Sequence, residues 1–142
     1  MAYIKSKYLF IFLCLASFLE AKEKLIKLDT RNLKIDHFDV RVEEVRRDKN
    51  VSIVKIKRSN GPSGDESLFV IRTLCLIAEA REMRFFIILR EGEDRNGKYT
   101  YTVGYLNEQI QNLNGHFGFT ANRPVTDKEL MDSKDLMAMF GW

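Results

Sequence analysis

Few side chains in this 142-residue sequence are of the types that carry out chemistry, and their spacing limits what each can do. The two histidines, His37 and His116, lie far apart, and neither stands in a His-x-x-x-His or Cys-x-x-Cys spacing. A tetrahedral zinc site built on either would lack ligands. Gly115 and Gly118 flank His116, and glycine lets backbone approach a ligand closely, so His116 is the histidine better suited to a site. With a carboxylate such as Asp94 or Asp127 within hydrogen-bond reach, it could serve as a general acid or base in a small hydrolase-like enzyme. Tyr99, Tyr101 and Tyr105 form an aromatic row that could stack on sugars or bases, although such rows more often pack under a helix or against a neighbouring strand. Tyr99, Tyr101, Tyr105 and His116 are the candidate ligand-binding residues.

The remaining reactive types read as structural. Cys75 falls on the apolar face of a helical stretch, whereas a nucleophilic thiol needs access and a cationic or helix-N-terminal setting. Glu91–Asn96 is acidic but lacks the D-x-[DN]-x-[DN]-G register and distal Glu of a calcium loop. Gly61-Pro62-Ser63-Gly64 precedes a helix and could offer amides to an anion, yet it does not match G-x-x-x-x-G-K-[ST]. No catalytic residue, cofactor or metal is indicated by any motif.

The N-terminus has the layout of a secretory leader. Lys5 and Lys7 precede the apolar run Tyr8–Leu19, and Glu20-Ala21 leads into the charged Lys22-Glu23-Lys24. The run is shorter than the ~20 apolar residues a membrane-crossing helix needs, and it suits the h-region of a signal peptide. Cleavage after Ala21 is expected, leaving one domain over 22–142 with no stable membrane span. A buried N-terminal helix or an uncleaved anchor are the alternatives. Leu13 before Cys14 is too large for a lipidation site.

Removing Lys5, Lys7 and Glu20 with the leader leaves 21 Lys+Arg against 19 Asp+Glu. The charges are interleaved, as in Arg41–Lys49, which reads as a solvated face. A nucleic-acid binder would carry a one-signed patch, so no nucleic-acid partner is expected. With Cys14 removed only Cys75 remains, so packing alone must hold the domain together.

The elements follow from periodicity. Residues 22–35 suit a lead-in or edge strand. Phe38, Val40 and Val42 alternate with polar residues, and the phase slips at Glu44-Val45, marking a bulge or the strand's end. Val51–Lys57 is β-branched and reads as a second strand. The spacing then predicts a helix over 65–83, opened by the capping-box pair Ser63 and Glu66 or by Asp65. Its apolar face would run through Leu68, Ile71, Leu74, Cys75 and Ala78, widened by Phe69 and Ile77. Residues 84–90 read as a strand buried on both faces and central in the sheet. Gly92–Gly97 turns it into the alternating strand 99–105. Asn107–Arg123 is polar, and Thr126 with Glu129 would open a C-terminal helix over 127–139. The order β-β-α-β-β implies an α+β fold: about four antiparallel strands, one long helix on one face and a short C-terminal helix.

The stretch Leu68–Ile88, a helix running through Ala78 and Ala80 into the aromatic-led strand Phe85-Phe86-Ile87-Ile88, resembles a pattern in small bacterial envelope domains of unknown function, many of them lipoproteins. The likeness covers about a sixth of the chain. It departs in having no lipidation cysteine and in Glu82-Met83 where a glycine usually ends the helix. It implies the βαββ arrangement and an envelope location, but no activity. The resulting expectation is an exported, periplasmic or secreted, non-enzymatic binding or interaction module with a protein partner in the envelope. A secreted effector or toxin-neutralising partner is the alternative, beside the His116 enzyme.

Overall fold

The structure, a computed structural model, describes residues 24–58, 63–93, 95–96, 98–117, 121 and 123–142. The expected leader with Cys14, the Gly61-Pro62 pair, Asp94, Gly97 and Gly118 lie outside the described residues. Six strands form one antiparallel sheet: β1 (Lys27–Asp29), β2 (Val40–Arg47), β3 (Val51–Arg58), β4 (Phe85–Glu93), β5 (Tyr99–Leu106) and β6 (Met131–Asp132), in the order β1-β2-β3-β5-β4-β6. The helices among the described residues are α1 (Gly64–Ala80), α2 (Leu113–Phe117) and α3 (Ser133–Phe140). The α+β class is as the sequence implies, with six strands in place of four. The extra strands are three and two residues long, too short to show an alternation of their own.

Helix α1 starts where the capping box places it. Ser63 Oγ accepts from the Glu66 amide at 3.3 Å, and Glu66 Oε2 accepts from the Ser63 amide at 3.1 Å. The helix stops at Ala80, short of 83, and Glu82 takes the left-handed conformation usually given to glycine (φ 56°). Its buried face is rotated only in part from the expected one: Phe69, Leu74, Cys75, Ile77 and Ala78 are buried as expected, Val70 and Thr73 join them, and Leu68 is 39% exposed. Thr73 can lie inward because its hydroxyl donates to the Phe69 carbonyl at 2.9 Å.

Against this face lie Val40, Val42, Val54, Ile56, Phe86, Val103 and Tyr105 from the sheet, and α3 packs beside α1. The phase slip at Glu44-Val45 is a β-bulge in the β2–β3 pairing. Strand β4 is buried on both faces at Phe85–Ile87, but it is not central. β6 pairs only with Phe85 and Phe86 on its outer side, and β3 and β5 hold the middle.

Two further expectations are corrected. The Thr126–Glu129 cap closes a 3-10 turn, Asp127–Glu129; α3 begins later, capped by Asp132 Oδ1, which accepts from the Lys134 and Asp135 amides. Leu113 and Phe117, from the polar stretch after β5, and Val125 beyond it form a second core on the sheet's outer face, packed on Phe85, Ile87, Leu89 and Leu106. Gly104 makes room for it. A Cβ there would stand 2.5 Å from the Phe117 ring, so β5 needs glycine where the ring lies on the strand.

Candidate functional site

The three tyrosines and His116 do not form one site. Tyr99, Tyr101 and Tyr105 alternate onto the α1 side of the sheet and join the main core. Tyr105 is fully buried. Burial first, and then the Glu44 charge, pushes its pKa well up. Burial likewise raises the Tyr101 phenol, with the Glu91 charge, against the pull of Arg58. The Arg58 guanidinium lies 5.3 Å from the Tyr99 ring centroid. The row is a packing row, as alternation under a helix favours. His116 is exposed on the opposite side. Its Nε2 is 3.0 Å from Asn50 Nδ2, and its ring meets Phe117 edge-on at 4.8 Å. His37, also exposed, is 3.8 Å from an Asp65 carboxylate oxygen.

No motif marks the buried polar knot that lies at the bulge. The Glu44 side chain is fully buried, and its carboxylate accepts from Arg47 Nε at 2.9 Å and Nη2 at 2.6 Å. It also accepts from Ser52 Oγ at 2.6 Å and from the Ile26 amide at 3.2 Å. Burial works to raise the Glu44 pKa, but these hydrogen bonds and the Arg47 charge outweigh it and hold the carboxyl below its ordinary value. Arg81, just past α1, donates to Ser52 Oγ at 3.0 Å and to the Asp48 and Lys49 carbonyls at 2.7 and 2.9 Å. Its guanidinium lies 4.9 Å from the Tyr105 ring centroid. The knot therefore ties the end of α1 to the β2–β3 turn, while the buried Tyr105 hydroxyl beside it has no hydrogen-bond partner among the described residues.

A cleft of about 680 Å³ opens between α1 and α3 and is lined by Cys75, Glu79, Met83, Arg84, Ser133 and Met137 among others. Cys75 offers no nucleophile there. Burial, with the Asp132 charge, pushes its thiol up to about 11, so the thiolate is scarce at neutral pH.

The outer face of the sheet is different. The second core covers one half of it; the other half is bare among the described residues. Cross-strand register sets the side chains of that half in rows, because directly opposed residues share a face. One row runs Lys27, Glu43, Lys55, Thr100, Gly92; beside it lie Asp29, Arg41 and Lys57; toward the second core lie Arg46, Ile53, Thr102 and Arg90. The carboxylates here are each committed to a cation. Asp29 holds Arg41 at 2.8 Å, Glu43 holds Lys27 at 3.9 Å, and Asp48 holds Arg46 at 3.1 Å. Lys55, Lys57 and Arg90 are exposed and form no ion pair among the described residues. The half-buried Ile53 and Thr102 line a cavity of about 350 Å³ with Asp48, Asn50, Val51 and Arg90. Asn50 brings His116 to this rim. The structure thus joins His116, alone of the four sequence candidates, to residues that sequence reasoning passed over as ordinary strand positions.

This surface can attract anionic groups and seat one apolar side chain. No group of three or more His, Cys, Asp and Glu residues suited to a metal occurs among the described residues, and none of their helices is long and apolar enough to cross a membrane. No family model, curated protein or solved structure matches the chain.

Proposed function

We propose that this protein is an exported, non-enzymatic interaction module that binds a partner in the cell envelope through the bare half of its sheet. The observation that carries the reading is the set of three cations, Lys55, Lys57 and Arg90, that form no ion pair among the described residues and stand around a cavity with Ile53 and Val51 in its wall. Charge left unmatched on one face steers a complementary partner and sets its register. The Glu44 knot serves the fold: Glu44 holds Arg47 and Ser52, and Arg81 ties the end of α1 to Ser52. The leader-like opening of the chain and the likeness of residues 68–88 to envelope domains support export.

Two measurements test the reading. N-terminal sequencing of protein from the native host should find a start near Lys22; a start at Met1 would remove the export claim. Photo-crosslinking in the host from a probe at Thr100 should yield a defined partner, lost in Lys55→Glu/Lys57→Glu. Crosslinks unchanged in that variant would refute the binding face.

A further inference from the structure

Resting on that reading, we infer that the partner presents an extended acidic polypeptide segment with the pattern acidic-x-acidic-x-apolar, laid along β3. Lys57, Lys55 and Ile53 stand at alternate positions of one strand and point to the same face. Alternate residues of an extended chain repeat at about 6.8 Å. An extended segment therefore presents every second side chain at the spacing of these three residues. Two carboxylates two positions apart meet Lys57 and Lys55. The next inward side chain, two residues further on, reaches the Ile53 cavity. Val51 and Ile53 give it an aliphatic wall for that side chain, with Asp48, Asn50, Thr102 and Arg90 as its polar lining. Thr100 lies directly across from Lys55, and its hydroxyl is placed to bond the segment's polar edge.

The same face argues against other polyanions. Single-stranded nucleic acid is held by aromatic platforms on which bases stack. The aromatic row Tyr99, Tyr101 and Tyr105 is on the opposite side of the sheet, and Phe85 and Phe117 are buried in the second core. An anionic lipid surface engages a broad basic patch, whereas here Glu43 and Asp48 interrupt the cations, leaving a short track that fits a narrow segment.

The test is a binding titration of the full chain against a Ser-Glu-Ser-Glu-Ser-Leu-Ser peptide. Beside it run a scrambled peptide of the same composition with adjacent glutamates, oligo(dT), and phosphatidylglycerol vesicles. The patterned peptide should bind best, and its affinity should fall as salt rises. Lys55→Glu/Lys57→Glu, both at exposed positions, should weaken it at least about tenfold. Arg72→Glu, the same kind of charge change on the exposed side of α1, should leave it unaltered. Circular dichroism confirms that each variant is folded. Equal binding of the scrambled peptide would overturn the pattern. Tighter binding of oligo(dT) or vesicles would overturn the polypeptide partner. Equal loss in Arg72→Glu would show a non-specific charge effect and overturn the face. If no peptide binds while Lys55→Glu/Lys57→Glu still abolishes the crosslinked partner in the host, the acidic segment falls and the interaction face stands.

Discussion

Replacing Glu44 by alanine should remove a large part of the domain's stability, because its side chain is fully buried and is the partner of an Arg47 side chain that is itself only 7% exposed. The substitution deletes two hydrogen bonds from Arg47, one from Ser52 and one from the Ile26 amide. It leaves the Arg47 charge buried without this carboxylate. Breaking a buried pair in this way costs about 3–5 kcal/mol, against a total of about 5–15 kcal/mol for a typical domain. With a urea m-value of about 1.5 kcal/mol/M, the midpoint should drop by about 2–3 M at unchanged m. Lys27→Ala, which breaks the exposed pair with Glu43, is the control and should shift it by less than about 0.5 M. Stability should also depend on pH. The folded carboxyl is held below its unfolded value, so the stability it contributes is present above an unfolded pKa of about 4.3 and is lost as pH falls through the lower folded value. Glu44→Gln should flatten this acid limb without abolishing it, because Asp29, Glu129 and Asp132 are lowered as well. Urea unfolding followed by far-ultraviolet circular dichroism reads both effects. A Glu44→Ala midpoint no lower than that of Lys27→Ala would refute the knot as a source of stability.

Three further outcomes follow from packing. Leu74→Ala should cost about 2–5 kcal/mol through lost burial and a residual cavity, whereas Leu68→Ala, at a position 39% exposed, should cost less than about 1 kcal/mol; equal urea midpoints would contradict the observed rotation of α1. Gly104→Ala should cost about 1–3 kcal/mol because its Cβ meets the Phe117 ring at 2.5 Å, and Phe117→Leu in the same chain should recover part of that loss; a neutral Gly104→Ala would show that α2 does not sit on β5. Cys75, with a thiol at about 11, should resist a disulfide reagent at pH 8 until urea unfolds the chain; rapid labelling of the folded protein would place the thiol at the surface.

The fold was legible wherever one residue type repeated with one period. Tyr99, Tyr101 and Val103 declared β5 by alternation, and Ser63 with Glu66 declared the start of α1 by reciprocal capping. The bulge showed as a broken phase at Glu44-Val45. The rotation of α1 did not show, because Leu68 and Ile71 are as apolar as the residues that turned inward, and Thr73 hides its polarity in a bond to its own helix. The Thr126–Glu129 cap misled because the same two-residue chemistry closes a 3-10 turn as readily as it opens a helix. The second core was masked by the polar residues around Ile110, Leu113 and Phe117, although their i, i+3, i+7 spacing carries a short apolar stripe.

The candidate site was less legible. A row of lysines on a strand looks like an ordinary solvated edge until the register shows which carboxylates are already taken. Asp48 takes Arg46, two residues before it, but only the pairing of β1 with β2 assigns Asp29 to Arg41 and Glu43 to Lys27. His116 drew notice for its flanking glycines. Its link to the face runs through Asn50, on a turn distant in sequence.

Where a bound segment sits tests the central claim most directly. Amide chemical-shift mapping of the isotope-labelled full chain, titrated with the patterned acidic peptide, reports that position residue by residue. The largest changes should fall on residues 53–57 of β3, on Thr100 and Thr102 of β5, and on Arg90, with the Asn50–His116 rim at the margin. Changes concentrated instead at Cys75, Met83 and Met137, around the cleft between α1 and α3, would contradict the bare sheet face as the binding surface.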